Sequence, residues 1–209
     1  MKLKKPCLVL VSICLILVVS CDKQKYTRDD PLIDKPAEEM SVEEMGRITV
    51  HMITNYGEFK IDLRPDWAPE TTRNFIKLVK AGFYDGLTMH EVRPGIWIRG
   101  GCPLGDGSGG PGWTVPFEPS PGKHVKGTVG LYHELEMRNT GGSQFYIMLG
   151  PIGAMNDYYT AFGSVAEGMQ TVERIGSLSV TPRGGRPRPY MPLNPVVIKD
   201  ARILAEVEN

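Results

Sequence analysis

The segment Phe83–Gly101 reads FYDGLTMHEVRPGIWIRGG, and it decides the fold because two short strand-like runs are joined in it by a tight turn. Thr88–Val92 and Ile96–Arg99 are the runs. Arg93-Pro94-Gly95 supplies the turn chemistry, since proline presets φ and glycine accepts a positive one. Side chains alternate along a strand, so across such a hinge Glu91 and Arg99 have matching parity and stand opposite each other. The segment therefore predicts an antiparallel pair that sets a carboxylate against a guanidinium. About forty residues further on, Gly142-Ser143-Gln144-Phe145-Tyr146-Ile147 leads into another strand, expected over Gln144–Leu149.

On the N-terminal side Ile48, Val50 and Met52 alternate with Thr49 and His51, Asn55-Tyr56-Gly57 turns the chain, and Phe59, Ile61 and Leu63 alternate again. This is a hairpin of period two, stopped by Pro65. Pro69 opens a helix, in whose first turn its missing N–H costs nothing; Phe75, Leu78 and Val79 form the apolar stripe and Gly82 is placed to end it. Further strands are expected at Gly127–Tyr132, Ala161–Val165 and Val196–Leu204. A second helix is expected at Met169–Gly176, with Met169, Val172 and Ile175 on one face. The glycine-rich run Gly105–Gly112 lacks the Lys-Ser/Thr ending of a phosphate-binding loop and reads as a flexible surface loop. The loop Thr181–Pro195, with Arg183, Arg186 and Arg188, reads as a soluble connection. The order of elements suits a mainly β protein, a closed antiparallel barrel capped by two α-helices.

The 209 residues carry 24 Lys+Arg against 24 Asp+Glu. Such neutrality gives bulk electrostatics no reason to attract nucleic acid or anionic lipid. The 24 glycines and 17 prolines suit a loop-rich β domain, and the length suits one domain with a tail. His51, His90, His124 and His133 lack a ligand spacing such as His-Glu-x-x-His, so neither metal nor cofactor is expected.

At the N-terminus Lys2, Lys4 and Lys5 precede an apolar run, Cys7–Val19, interrupted only by Ser12. A transmembrane helix needs ~20 apolar residues, so this shorter run matches the core of a signal peptide. Leu17-Val18-Val19-Ser20-Cys21 looks like a bacterial lipobox, which implies cleavage before Cys21 and its acylation, anchoring the chain to a membrane of the cell envelope. Residues 1–20 are then the signal peptide, 21–46 the lipidated N-terminus with a polar, flexible tether, and 47–209 the folded domain. Of the four cysteines, the mature chain would keep only Cys102 unmodified, with no internal disulfide. Behind Gly100-Gly101 it reads as a small buried hydrophobe.

Phe83–Gly101 and Gly142–Ile147 together resemble the two signature segments of the cyclophilins, which are peptidyl-prolyl cis-trans isomerases. That frame runs Phe-Tyr-Asp-Gly, then aromatic-His-Arg-Val-x-Pro-Gly-Phe-x-x-Gln-Gly-Gly, then Gly-Ser-Gln-Phe-Phe-Ile. Pro69-Glu70-Thr71-Thr72-x-Asn74-Phe75, Gly127-Thr128-Val129-Gly130-Leu131 and Phe162-Gly163-x-Val165-x-x-Gly168-Met169 add to the resemblance, which covers Arg47 to Leu204. It implies a closed eight-stranded barrel and a monomer that isomerises X–Pro bonds, here in exported proteins.

Carried over position by position, the family's catalytic arginine falls on Glu91 and the glutamine of Gln-Gly-Gly on Arg99, while Gln144 is kept. Two readings stay open. In one, Glu91 and Arg99 are an exchanged pair and Arg99 supplies the catalytic donor. In the other they form a salt bridge with no catalytic role. The implied substrate groove is Ile96 and Trp97 in place of Phe and Met, Glu134 and Leu135 in place of Ala-Asn, Tyr146 for a phenylalanine, Met155 for a leucine and Tyr159 for a histidine. Ala154 stands where the family has tryptophan, and His90 keeps its place in a packing role. The exchange at Glu91 implies weakened turnover; the alternative is a non-catalytic, peptide-binding envelope lipoprotein.

Overall fold

The computed structural model describes residues 26–182 and 189–206. The signal peptide, the lipid acceptor Cys21 and the arginines 183, 186 and 188 lie outside them. The strands are β1 (Tyr26–Thr27), β2 (Ile48–Thr54), β3 (Gly57–Leu63), β4 (Glu91–Arg93), β5 (Trp97–Gly100), β6 (Thr128–Leu131), β7 (Phe145–Met148), β8 (Thr160–Glu167) and β9 (Ile198–Glu206). The helices are α1 (Val42–Gly46), α2 (Pro69–Lys80) and α3 (Met169–Gly176), with short 3-10 turns between elements.

All strand pairs are antiparallel, in the order β1-β9-β2-β3-β8-β6-β7-β5-β4. The expected closed barrel is instead an open ladder that curls into a half-barrel. Between its two ends, residues 87–89 meet residues 196–198 through Ile198 N–H to Leu87 O (2.8 Å), Met89 N–H to Val196 O (2.9 Å) and one isolated bridge, Thr88 to Val197. Because the backbone of 87–89 turns to β9, β4 keeps only three residues, beginning at Glu91 rather than Thr88.

The β2–β3 hairpin forms as its alternation requires, with Thr54 opposite Gly57. Gly57 adopts φ 123°, open to glycine and strained for other residues. The N-terminus of α2 has no local side-chain cap. Glu118 caps it from a distance, accepting from the N–H groups of Glu70 (3.0 Å) and Thr71 (2.7 Å) and from the Thr71 hydroxyl (2.6 Å), which places a carboxylate at the positive end of the helix dipole. Phe75, Leu78 and Val79 face the core as their spacing predicts, and Phe75 meets Tyr84, Phe145 and Phe162 at ring distances of 5.0–5.5 Å.

Residues 26–46, expected as part of a flexible tether, fold onto the domain instead. β1 pairs with β9, Ser41 and Glu44 form a capping box on α1, and Leu32, Ala37, Met40 and Met45 are buried in the main core. Arg73 donates to the carbonyls of Ala37 (2.7 Å) and Met40 (2.8 Å), and Arg47 pairs with Asp30 (2.7 Å). The polar average of this segment hides four well-spaced apolar residues, and α2 supplies donors for carbonyls that an isolated strap could not satisfy. α1 is a third helix beyond the two expected. No described helix is long and apolar enough to cross a membrane.

Candidate active site

The site is built on the outer face of β4, β5, β7 and β6. Registers put Glu91 opposite Arg99, Arg99 opposite Tyr146, and Tyr146 opposite Gly130, so these four positions form one row across four strands. The missing side chain at Gly130 lets the Tyr146 ring lie against β6, where a Cβ would collide with it. Tyr146, Met148 and Met155 form a small apolar cluster separate from the main core, with Trp97, Tyr132, Ile152 and Tyr159 packed against it. Trp97 lies 5.8 Å from the Tyr146 ring, and Tyr159 meets Tyr146 edge-on at 5.8 Å.

Glu91 is buried and held by two arginines: Arg93 Nε meets one carboxylate oxygen and Arg99 Nη2 the other. One carboxylate between two guanidiniums leaves the cluster net positive. The Arg99 guanidinium also lies 3.8 Å from the Tyr132 ring centre, a cation–π contact. Its Nε and Nη1 are buried without a hydrogen-bond partner among the described residues, as are Gln144 Oε1 and Trp97 Nε1. Buried polar groups are normally paired, so these atoms retain hydrogen-bonding capacity toward a ligand or solvent.

Gln144 is oriented from behind. Its Nε2 donates to the carbonyls of Gly107 (2.8 Å) and Gly109 (2.9 Å), while the N–H groups of the same two glycines donate to Cys102 Sγ (both 3.2 Å). The glycine-rich run expected as a flexible surface loop is thus fastened to the site at both faces. Gly107 sits between Arg99 Nη2 and His90 Nε2, where a Cβ would approach them to 3.1 and 3.5 Å. Below, Asn74 on α2 donates to Gly142 O (2.8 Å), Ser143 Oγ to Gly101 O (2.7 Å) and Tyr84 to Ser143 O (3.0 Å).

The Tyr146 hydroxyl finds its partner away from the groove. Asn156 Oδ1 accepts from the His124 backbone N–H (2.8 Å) and lies 3.1 Å from Nδ1, which makes Nδ1 the protonated nitrogen and leaves Nε2 to accept from Tyr146 at 2.7 Å. Burial pushes the His124 imidazole below its ordinary range and the Tyr146 phenol well above its own. Burial also raises Tyr132 and Tyr159. The groove therefore offers neutral aromatic faces at neutral pH.

Of the residues singled out from the sequence, Arg99 stands opposite both Glu91 and Tyr146, Trp97, Met155 and Tyr159 pack with Tyr146, and Gln144 lies just before β7 against the Gly107–Gly109 loop. Glu134 and Leu135 are exposed on the rim, where Tyr132 donates to Glu134 at 3.5 Å. Ile96 is half-buried at the hinge and outside the apolar cluster. Sequence reasoning missed Tyr132, His124, Asn156, Asn74, Arg93 and the Gly107–Gly109 carbonyls. Their roles depend on contacts between distant segments, and only the parity of Arg93 with Glu91 was a signal available locally.

Residues 49–203 match the family model for the cyclophilin type peptidyl-prolyl cis-trans isomerases. A peptidyl-prolyl cis-trans isomerase of Synechococcus elongatus is 43% identical over 114 residues, covering 54% of this chain and 77% of the relative. Peptidyl-prolyl cis-trans isomerase B of Bacillus subtilis is 39% identical over 128 residues, covering 60% and 88%. A cyclophilin type isomerase of Cryptosporidium parvum, crystallised in the presence of the dipeptide Ala-Pro, superposes with a TM-score of 0.68 at 28% identity over 77% of this chain and 99% of that one. With that match, the curled sheet and the aromatic groove beside Gln144, the chain belongs to the cyclophilin-type peptidyl-prolyl cis-trans isomerases.

Proposed function

We propose that the chain isomerises X–Pro bonds of exported proteins, as a monomer held to a cell-envelope membrane through lipid on Cys21, and that Arg99 supplies the donor the family takes from the position of Glu91. The reaction needs no proton transfer or covalent step. Twisting the bond breaks amide resonance against a barrier of ~18–20 kcal/mol, and at an X–Pro bond the end states lie within about 1 kcal/mol. In the twisted state the proline nitrogen regains a lone pair, so a fixed donor aimed at it stabilises the transition state more than the ground state.

The observation that carries this reading is Arg99: its guanidinium is held by Glu91 and by the Tyr132 face, with Nε and Nη1 lacking a hydrogen-bond partner among the described residues. The proline ring enters among Tyr146, Trp97, Met155 and Tyr159. Because Gln144 Nε2 is already engaged by two carbonyls, Gln144 holds the substrate through Oε1, accepting a backbone N–H of the segment preceding the proline. The chain beyond the proline then leaves over Met155 and Tyr159. Glu91 both positions Arg99 and draws on its charge, which weakens the donor and lowers turnover relative to an arginine at position 91.

The test is isomerisation of an Ala-Pro peptide by the full chain in detergent, with Arg99→Ala and Glu91→Arg beside wild type. Activity in wild type that is lost in Arg99→Ala supports the relocated donor. An inactive wild type that gains activity in Glu91→Arg would instead favour the non-catalytic peptide-binding reading, consistent with Glu91 neutralising the guanidinium.

A further inference from the structure

Next to the proline groove, and sharing Met155 and Tyr159 with it, lies a second cleft of about 710 Å³ lined by Leu135, Glu136, Arg138, Ala154, Met155, Tyr158 and Tyr159. Five of these residues present apolar or aromatic surface, and Glu136 and Arg138 supply the charged edge. Leu135 is 54% exposed and Tyr158 46% exposed, and Met137 in the same rim segment is 57% exposed. Scattered exposed apolar residues need no explanation, but a contiguous group bordering a binding groove does. Ala154 offers only a methyl group to the cleft, which leaves it open.

The wall is braced. Arg138 lies 5.0 Å from the ring centres of both Phe117 and Tyr158, so the guanidinium ties the Leu135–Thr140 rim to the Tyr158 side. Tyr159 is fixed by stacking on His133 at 4.6 Å, and His133 is in turn bound to Glu134 O and Tyr158 O at 2.8 Å each. Gln144 borders a different depression, lined also by Gly107–Thr114 and Tyr132, and Tyr132 stacks at 6.3 Å on the Tyr159 that lines the cleft. Rigid aromatic walls of this kind suit a flat apolar ligand group, because little side-chain freedom is lost on binding.

We propose that this cleft is a specificity site for the substrate itself, taking a large apolar and preferably aromatic side chain one or two residues after the proline. The inference rests on the chain direction given under Proposed function, in which the segment preceding the proline lies at Gln144 and the following one crosses Met155 and Tyr159. The ring of such a residue stacks on Tyr158 and contacts Leu135 and Met155, adding affinity without touching the bond that rotates. The cleft therefore selects among X–Pro bonds by the side chains on their C-terminal side.

The experiment compares four peptides with the full chain in detergent: Ala-Ala-Pro-Ala-Ala, the same peptide with phenylalanine one or two places after the proline, and the same with phenylalanine two places before it. The expected result is a KM lower by on the order of tenfold for one of the two peptides with phenylalanine after the proline. That advantage disappears in Ala154→Trp, whose indole projects from the cleft wall into the space a ligand ring would take. Equal KM values for all peptides, or an advantage only for phenylalanine before the proline, would overturn the site. If no peptide is isomerised, the isomerase reading fails by itself, and titration of the same peptides followed by NMR still decides the cleft. Tighter binding of a peptide with phenylalanine after the proline, with shifts at Ala154 and Tyr158, upholds it; equal affinities overturn it.

Discussion

The strap of residues 26–46 is polar in composition and the groove on β4, β5 and β7 is largely aromatic, yet both contain charged and amide groups and treat them in opposite ways. In the strap, Asp30 meets Arg47, Glu44 meets Lys35 and Ser41, and the carbonyls of Ala37 and Met40 meet Arg73. Those bonds leave the segment's apolar side chains free to enter the core. In the groove, Arg99, Gln144 and Trp97 are each oriented but keep buried polar atoms without partners among the described residues. A buried orphan donor is destabilising by roughly 1–3 kcal/mol. Buried atoms without a hydrogen-bond partner are not confined to the groove, since Thr72 Oγ1, Asp200 Oδ2 and Arg202 Nε share that condition among the described residues. What distinguishes the groove is that three of its side chains carry them side by side with an aromatic cluster.

The comparison breaks first if the strap is not structural. Met45 is fully buried, and Met45→Ala is expected to lower unfolding stability by about 2–5 kcal/mol while KM at low temperature stays within twofold. A urea midpoint within error of wild type would return residues 26–46 to the status of a tether. Next, Arg99→Ala is expected to reduce kcat/KM by on the order of 10²-fold, whereas Arg73→Ala, in the saturated region, leaves kcat/KM near wild type and shifts the denaturation midpoint. Equal effects of the two on catalysis would erase the distinction.

A smaller change separates floor from donor. Tyr146→Phe removes the hydroxyl that His124 Nε2 accepts, which is expected to destabilise by about 1 kcal/mol, with little change in KM because the aromatic face remains. A tenfold rise in KM would show instead that the hydroxyl faces the substrate. The smallest effect concerns pH. His124 is held below its ordinary value of 6.5 by burial, so the unfolded chain takes up the proton first as pH falls. The contribution is therefore complete above pH 6.5 and is lost below it, toward the folded pKa. Urea midpoints at pH 8 and pH 5 should show a larger loss in wild type than in His124→Gln, and identical losses would remove His124 from the account.

Much of the fold was legible because it rests on local periodicity. The β2–β3 hairpin, the stripe of α2, the limits of α3 and the opposition of Glu91 and Arg99 all follow from spacing within a single element or across one turn. The strap escapes such reasoning because average polarity governs expectation where apolar residues are sparse, while burial is decided by which distant surface receives them. The same reason hides the fastening of Gly107 and Gly109 by Gln144 and Cys102, and the removal of the Tyr146 hydroxyl from the groove by His124 and Asn156.

Element types, the antiparallel pairing of the central hairpins and the facing of Glu91 and Arg99 follow from residue order alone, since they depend on periods of 2 and 3.6 and on turns of fixed spacing. Long-range packing instead fixes the curl of the sheet without closure as a ladder, the burial of residues 26–46 in the core, and the two Arg99 nitrogens that find no hydrogen-bond partner among the described residues. Each of those outcomes is set by packing between segments far apart in the chain, where the available partners, and not local propensity, determine which polar groups are satisfied and which are left for a ligand.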